Sequence, residues 1–151
     1  MRQGGSVALG FDFGMKRIGV AVGQTLTQSA RALTTLSARD GIPNWDEVKK
    51  LITHWGPECL VVGLPLNMDG TYQPVTHAAK RFANRLKNRF TLPVHLIDER
   101  LSSVDARAQL YAEGGYRAVS QGMIDSVAAQ VILQTWMLTP TPCTNKENKP
   151  E

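Results

Sequence analysis

The chain has 151 residues and a mass of 16.6 kDa, with 42% apolar and 20% charged residues. That is one ordinary domain with room for a real core, and its composition excludes both a disordered chain and a membrane-embedded one. Seventeen Lys and Arg against thirteen Asp and Glu leave a net charge of +4 and a pI near 9.3, a basic excess compatible with a polyanionic partner.

No apolar run approaches the roughly 20 residues a bilayer span needs, and no apolar stretch follows Met1 to Ser6 as a secretory signal requires. The two cysteines, Cys59 and Cys143, read as thiols in a reducing cytoplasm. His54, His77 and His95 are scattered and share no ligand spacing with a cysteine, which argues against zinc.

Val7 to Phe13 alternates Val7, Leu9, Phe11 and Phe13 with Ala8, Gly10 and Asp12, a strand pattern. A Gly14–Arg17 turn and a β-rich run from Ile18 to Val22 complete a hairpin, and Ala30 to Leu36 predicts a third strand. Gly14 and Gly19 have the spacing of half a phosphate-binding loop, but Val20-Ala21 stands where Lys-Ser/Thr is required, so a strict P-loop is excluded. Asn44 followed by Glu47 predicts a helix start, with Trp45, Val48, Leu51, Ile52 and Trp55 on one face and Gly56-Pro57 as the stop. Cys59 to Leu64 reads as a strand buried on both faces, followed by a polar loop from Pro65 to Pro74.

Val75, Ala79, Phe82, Leu86 and Phe90 mark an amphipathic helix. Its Lys80, Arg81, Arg85, Lys87 and Arg89 form either a solvated face or a phosphate-tracking one. Val94 to Ile97 predicts another buried strand, running into Asp98-Glu99. Ser102 can cap a further helix ending at Gly114-Gly115, and Ile124 to Leu138 carries a last one. Residues 139–151 hold three prolines and no aliphatic side chain, and read as a disordered polar tail beyond a single domain at 1–138.

Strand-helix-strand units demand parallel pairing and hairpins antiparallel pairing. The element order therefore predicts a mixed five-stranded α/β sheet flanked by helices, with ligands gathering beyond the carboxyl ends of the parallel strands. Acids stand at three places where the local pattern favours none: Asp12 in the first strand, Asp98-Glu99 after the last, and Asp125 opening the final helix. Carboxylates crowded in a partly dry cleft repel one another unless a cation joins them. An oxygen-only set suits Mg²⁺ or Mn²⁺, and two such ions about 4 Å apart can stabilise both the attacking and the leaving oxygen of a phosphodiester. Lys16, Arg17 and Arg100 neighbour the acids in sequence and are the candidate phosphate contacts. Asn67, after the buried strand, and Asp98 are candidates for the rim of the site.

Four segments together, GFDFGMKRIGVAVG (10–23), LVVGLPLNMDGT (60–71), LIDERLSS (96–103) and IDSVAAQVILQ (124–134), closely resemble the YqgF/RuvX family of bacteria. These are Holliday-junction-resolvase-like nucleases of the 16S ribosomal RNA precursor. The resemblance implies a ribonuclease H-like fold, an acidic triad at Asp12, Glu99 and Asp125 holding divalent metal, and a cytoplasmic enzyme that matures pre-16S RNA on the small ribosomal subunit. The chain departs from many members at Gly23-Gln24, where an acid is common, and at Ser120 to Met123, where lysines are common. Two other functions fit the same residues: a resolvase of branched DNA, which calls for a two-fold homodimer rather than a monomer, and a non-catalytic RNA-binding assembly or transcription factor. An actin-kinase-like nucleotide module is a further rival.

Overall fold

A computed structural model of the chain describes residues 7–67, 69–99 and 121–138, with backbone alone at 121–125. The described elements are β1 (Val7–Asp12), β2 (Arg17–Gln24), β3 (Ser29–Arg39), β4 (Ile42–Pro43), α1 (Trp45–Trp55), β5 (Cys59–Leu64), α2 (Pro74–Phe90), β6 (Val94–Asp98) and α3 (Gln121–Met137). The helix expected after Ser102 and the tail expected at 139–151 lie outside the described residues.

The strands form one mixed sheet in the order β4-β3-β2-β1-β5-β6. β1 pairs antiparallel with β2 and parallel with β5, and β5 pairs parallel with β6. The sheet has six strands rather than five. The addition, β4, is a two-residue edge strand folded back on β3 through Asp40-Gly41. Both turn residues have positive φ, 53° and 80°, as a tight two-residue hairpin requires.

α1 begins where Asn44 Oδ1 accepts from the Asp46 amide at 2.9 Å, and it ends at a left-handed Gly56 whose N–H donates to Ile52 O. At the start of α2, the Thr76 hydroxyl accepts from the Gln73 amide and donates to the Pro65 carbonyl, which ties the helix to the end of β5.

Strand alternation divides the core between the two faces of the sheet. Leu9, Phe11, Val20, Leu60 and Val62 point to α1 and α2, where Val48, Phe82 and Leu86 meet them. Ala8, Ala21, Cys59, Val61 and Ile97 point to the other face and pack with Ala129, Ile132, Leu133 and Trp136 of α3. α3 is apolar nearly all round, as suits a helix lying deep against a sheet. It approaches closely because Gly10 has no side chain there: a Cβ on Gly10 would lie 2.9 Å from Leu133 Cβ. Gly10 meets Ala129 and Leu133, whereas Gly23, beside Ala8 in the ladder, meets Leu133 and Met137. α3 therefore runs antiparallel to β1, and its first turns lie toward the carboxyl ends of β1, β5 and β6.

Candidate active site

Asp12 closes β1 on the same face as Ala8 and Gly10, the face that α3 covers, and is partly buried. Its ladder partner on β2 is Gly19. On the other side, Phe11 pairs with Val62, so the next position sets Asp12 beside Gly63. Gly63 pairs in turn with Ile97 of β6. Glu99 follows β6 two residues after Ile97 and keeps to the α3 face. A Cβ built on Gly63 would lie 2.8 Å from Glu99 Oε2 and 3.0 Å from Glu99 Cγ. The Glu99 side chain thus leans across β5, toward β1, through the space left by a missing side chain.

The carboxyl edge therefore gathers two expected acids on one face, with Gly63 between them. Asp98 also lies at this edge, but the pleat turns it to the opposite face with Leu96 and Val94. The backbone of α3 carries residue 125 four positions before Ala129, about 6 Å along the helix axis. Asp12 lies two positions beyond Gly10, about 6.6 Å along the strand. Since Ala129 and Gly10 are in contact, the two advances are matched in length and directed to the same edge. The side chain of Asp125 and the whole of Arg100 lie outside the described residues. Among the described residues, no group of three potential metal ligands is present.

Lys16 and Arg17 are exposed at the tip between β1 and β2. That tip is fixed to the β3–β4 turn, with Ala38 N donating to Lys16 O at 2.8 Å and Gly41 N to Met15 O at 2.9 Å. Asn67 opens the loop after β5. Its side-chain amide donates to Thr71 Oγ1 at 2.9 Å, and Thr71 donates to Asp69 Oδ1 at 2.6 Å. The exposed Asn67 side chain thus braces its own loop. Gly63 is the position whose role sequence inspection did not isolate. Its signal, a lone glycine inside an otherwise apolar strand, is present in the chain but unspecific.

His95 lies on the α3 face of β6, with its ring 5.5 Å from that of Trp136. Its Nε2 is buried with no hydrogen-bond partner among the described residues. Burial lowers its pKa below 6.5. The unfolded chain therefore takes up this proton before the folded one does, so this contribution to stability is present above pH 6.5 and is lost as the pH falls toward the folded pKa. Urea midpoints should fall between about pH 7.5 and pH 5.5 in the native protein and fall less in His95→Phe. Parallel curves for the two would remove His95 as a source of the pH dependence.

Among the described residues, no helix is long and apolar enough to cross a membrane. A T. thermophilus RuvC solved in complex with a Holliday junction substrate superposes with a TM-score of 0.58 at 15% identity, covering 87% of this chain and 92% of that one. At that identity the likeness speaks to the fold alone, and the fold is the ribonuclease H-like α/β architecture expected from the sequence. A protein of Actinobacillus pleuropneumoniae serotype 7 described as "Putative pre-16S rRNA nuclease" is 56% identical over 128 residues, covering 85% of this chain and 93% of its own. One of Yersinia pestis with the same description is 57% identical, covering 85% and 91%. The family model RuvX, described as Holliday junction resolvase, matches residues 6–139. With the family model spanning nearly the whole described fold and relatives above half identity, the chain belongs to the RuvX family.

Proposed function

We propose that this protein is a metal-dependent nuclease that hydrolyses phosphodiester bonds of structured RNA, in maturation of the 16S ribosomal RNA precursor. Relatives at 56% and 57% identity, matched over almost their full length, are described as "Putative pre-16S rRNA nuclease". The observation that supports this chemistry is that Glu99 leans over Gly63 on the sheet face to which the register also assigns Asp12. Two carboxylates set on one face at neighbouring strand ends suit a hard cation better than they suit each other.

Asp12 and Glu99 would hold a divalent ion, Mg²⁺ or Mn²⁺, and Asp125 would complete the set from the second turn of α3, which begins at Gln121 rather than just before Asp125. When bound, such an ion supplies Lewis acidity at the phosphoryl oxygens. The rest of the work falls to the chain itself. Ala8, Val61 and Ile97, packed against α3, fix the strands that carry both carboxylates. Lys16 and Arg17, on a tip held by two backbone hydrogen bonds, would orient the phosphates on either side of the cut. Arg100, directly after Glu99, is a third phosphate contact in this reading. The domain would comprise residues 1–138. The buried thiol of Cys59 accords with a reducing cytoplasm.

The family description favours a second substrate, the four-way DNA junction. Symmetric cutting of two strands would require a two-fold dimer. The deciding experiment sets precursor 16S RNA and junction DNA side by side, with Mg²⁺, with Mn²⁺ and with EDTA. Cuts in the RNA that EDTA abolishes are the expected result. Junction cleavage by a dimer, with the RNA intact, transfers the assignment to DNA. RNA binding with no cleavage of either leaves a non-catalytic assembly factor.

A further inference from the structure

We propose that the outward face of α2, with Tyr72 just before the helix start that is tied to the carboxyl end of β5, is a docking track for the RNA strand that flanks the cut. The inference rests on the nuclease reading, since it says where that substrate continues. α2 has five Lys and Arg and no Asp or Glu in its 17 residues. Its buried stripe of Thr76, Ala78, Ala79, Phe82, Ala83 and Leu86 occupies the sheet side, which turns the basic residues outward. Arg81, Arg85 and Arg89 recur every fourth residue and so form one row, with about 6 Å of helix rise between neighbours. Like charges at this spacing destabilise an isolated helix, and α2 has no acid to relieve them. A polyanion laid along the row would relieve all three at once.

The row is graded. Arg89 lies over the Trp45 ring at 4.4 Å, near the α1 first turn that holds Asp46 and Glu47. Arg81 and Arg85 are exposed and closer to the helix start, which follows the carboxyl end of β5. Tyr72 precedes that start, with 44% of its surface exposed. Lys80 Nζ lies 5.2 Å from the Tyr72 ring centroid and 3.4 Å from its hydroxyl, and the His77 ring meets it edge-on at 5.1 Å. An aromatic ring steadied by a cation and a second ring, yet half open, suits stacking against an unpaired base. The polar composition of the outward positions, Arg81, Asn84, Arg85, Lys87 and Asn88, favours nucleic acid over a lipid surface, which would need apolar residues on the same face.

The test is anisotropy of a fluorescein-labelled RNA hairpin with a single-stranded arm, across a salt series in EDTA so that cleavage does not intervene. The Arg81→Gln/Arg85→Gln/Lys87→Gln variant should flatten the slope of log K against log salt by about two units. A control on α1, Lys49→Gln/Lys50→Gln, should leave the slope within about half a unit of native. Tyr72→Ala should weaken binding about tenfold at unchanged slope, while Tyr72→Phe retains it. An unchanged slope in the α2 variant, an equal loss in the α1 control, or an α2 variant that loses phosphatidylserine vesicles but not RNA overturns the track. The nuclease reading fails separately, on the cleavage assay with native protein.

Discussion

Asp12→Asn should abolish metal-dependent RNA cleavage, by about a thousandfold or more, and leave the protein folded. The substitution keeps shape and volume and removes one negative oxygen. Lewis-acid stabilisation of a phosphoryl transition state amounts to several kcal/mol, at a factor of ten for each 1.36 kcal/mol or so. Asp12 is partly buried at a strand end, and an Asn there fills the same volume. Without metal, the variant should melt no lower than the native protein, because one of two neighbouring like charges has gone. With Mg²⁺ the native protein should gain melting temperature by mass action and the variant should gain little. Melts with and without the ion therefore test the site without reference to turnover. A variant that cleaves at the native rate removes Asp12 from the chemistry. A variant that melts well below native in EDTA makes Asp12 a structural residue.

The sequence carried the elements and their sides more fully than their neighbours. Alternation through Leu9, Phe11 and Phe13 already puts Asp12 on the other face from those three, and helical spacing already sets Asp125 one turn before Ala129. The same alternation separates Glu99 from Asp98 once the last strand is known to continue through residue 98. Local pattern does not contain the lateral register. That Asp12 stands beside Gly63, and Gly63 beside Ile97, depends on two parallel pairings whose partners are some fifty and thirty residues away. β4 escapes a sequence reading for a different reason. Two residues are too few for a periodicity, although Asp40-Gly41 is a strong hairpin pair when read as a turn rather than a gap. The basic helix is ambiguous by nature: a wheel shows that five charges face outward, but not that Tyr72 and Lys80 meet at its amino-terminal end.

Gly63→Ala provides a sharper test of the geometry, because it replaces no acid. The added Cβ would lie 2.8 Å from Glu99 Oε2 and 2.6 Å from Ile132 Cδ1. Both are far ends of flexible side chains, so the expected response is displacement rather than unfolding. Overpacking of this kind destabilises by about 1–3 kcal/mol. The effect on catalysis should be larger in proportion, since a carboxylate moved by about 1 Å from its working position can lower a rate about a hundredfold. Cleavage should therefore fall about a hundredfold while the melting temperature drops only modestly. Ile132→Val, added to Gly63→Ala, deletes the Cδ1 that the new methyl strikes and leaves the clash with Glu99 in place. The pair should recover part of the lost stability and none of the lost rate. Recovery of both would trace the defect to packing against α3 and release Gly63 from any part in seating Glu99. Recovery of stability alone ties the rate to the carboxylate that leans across this glycine.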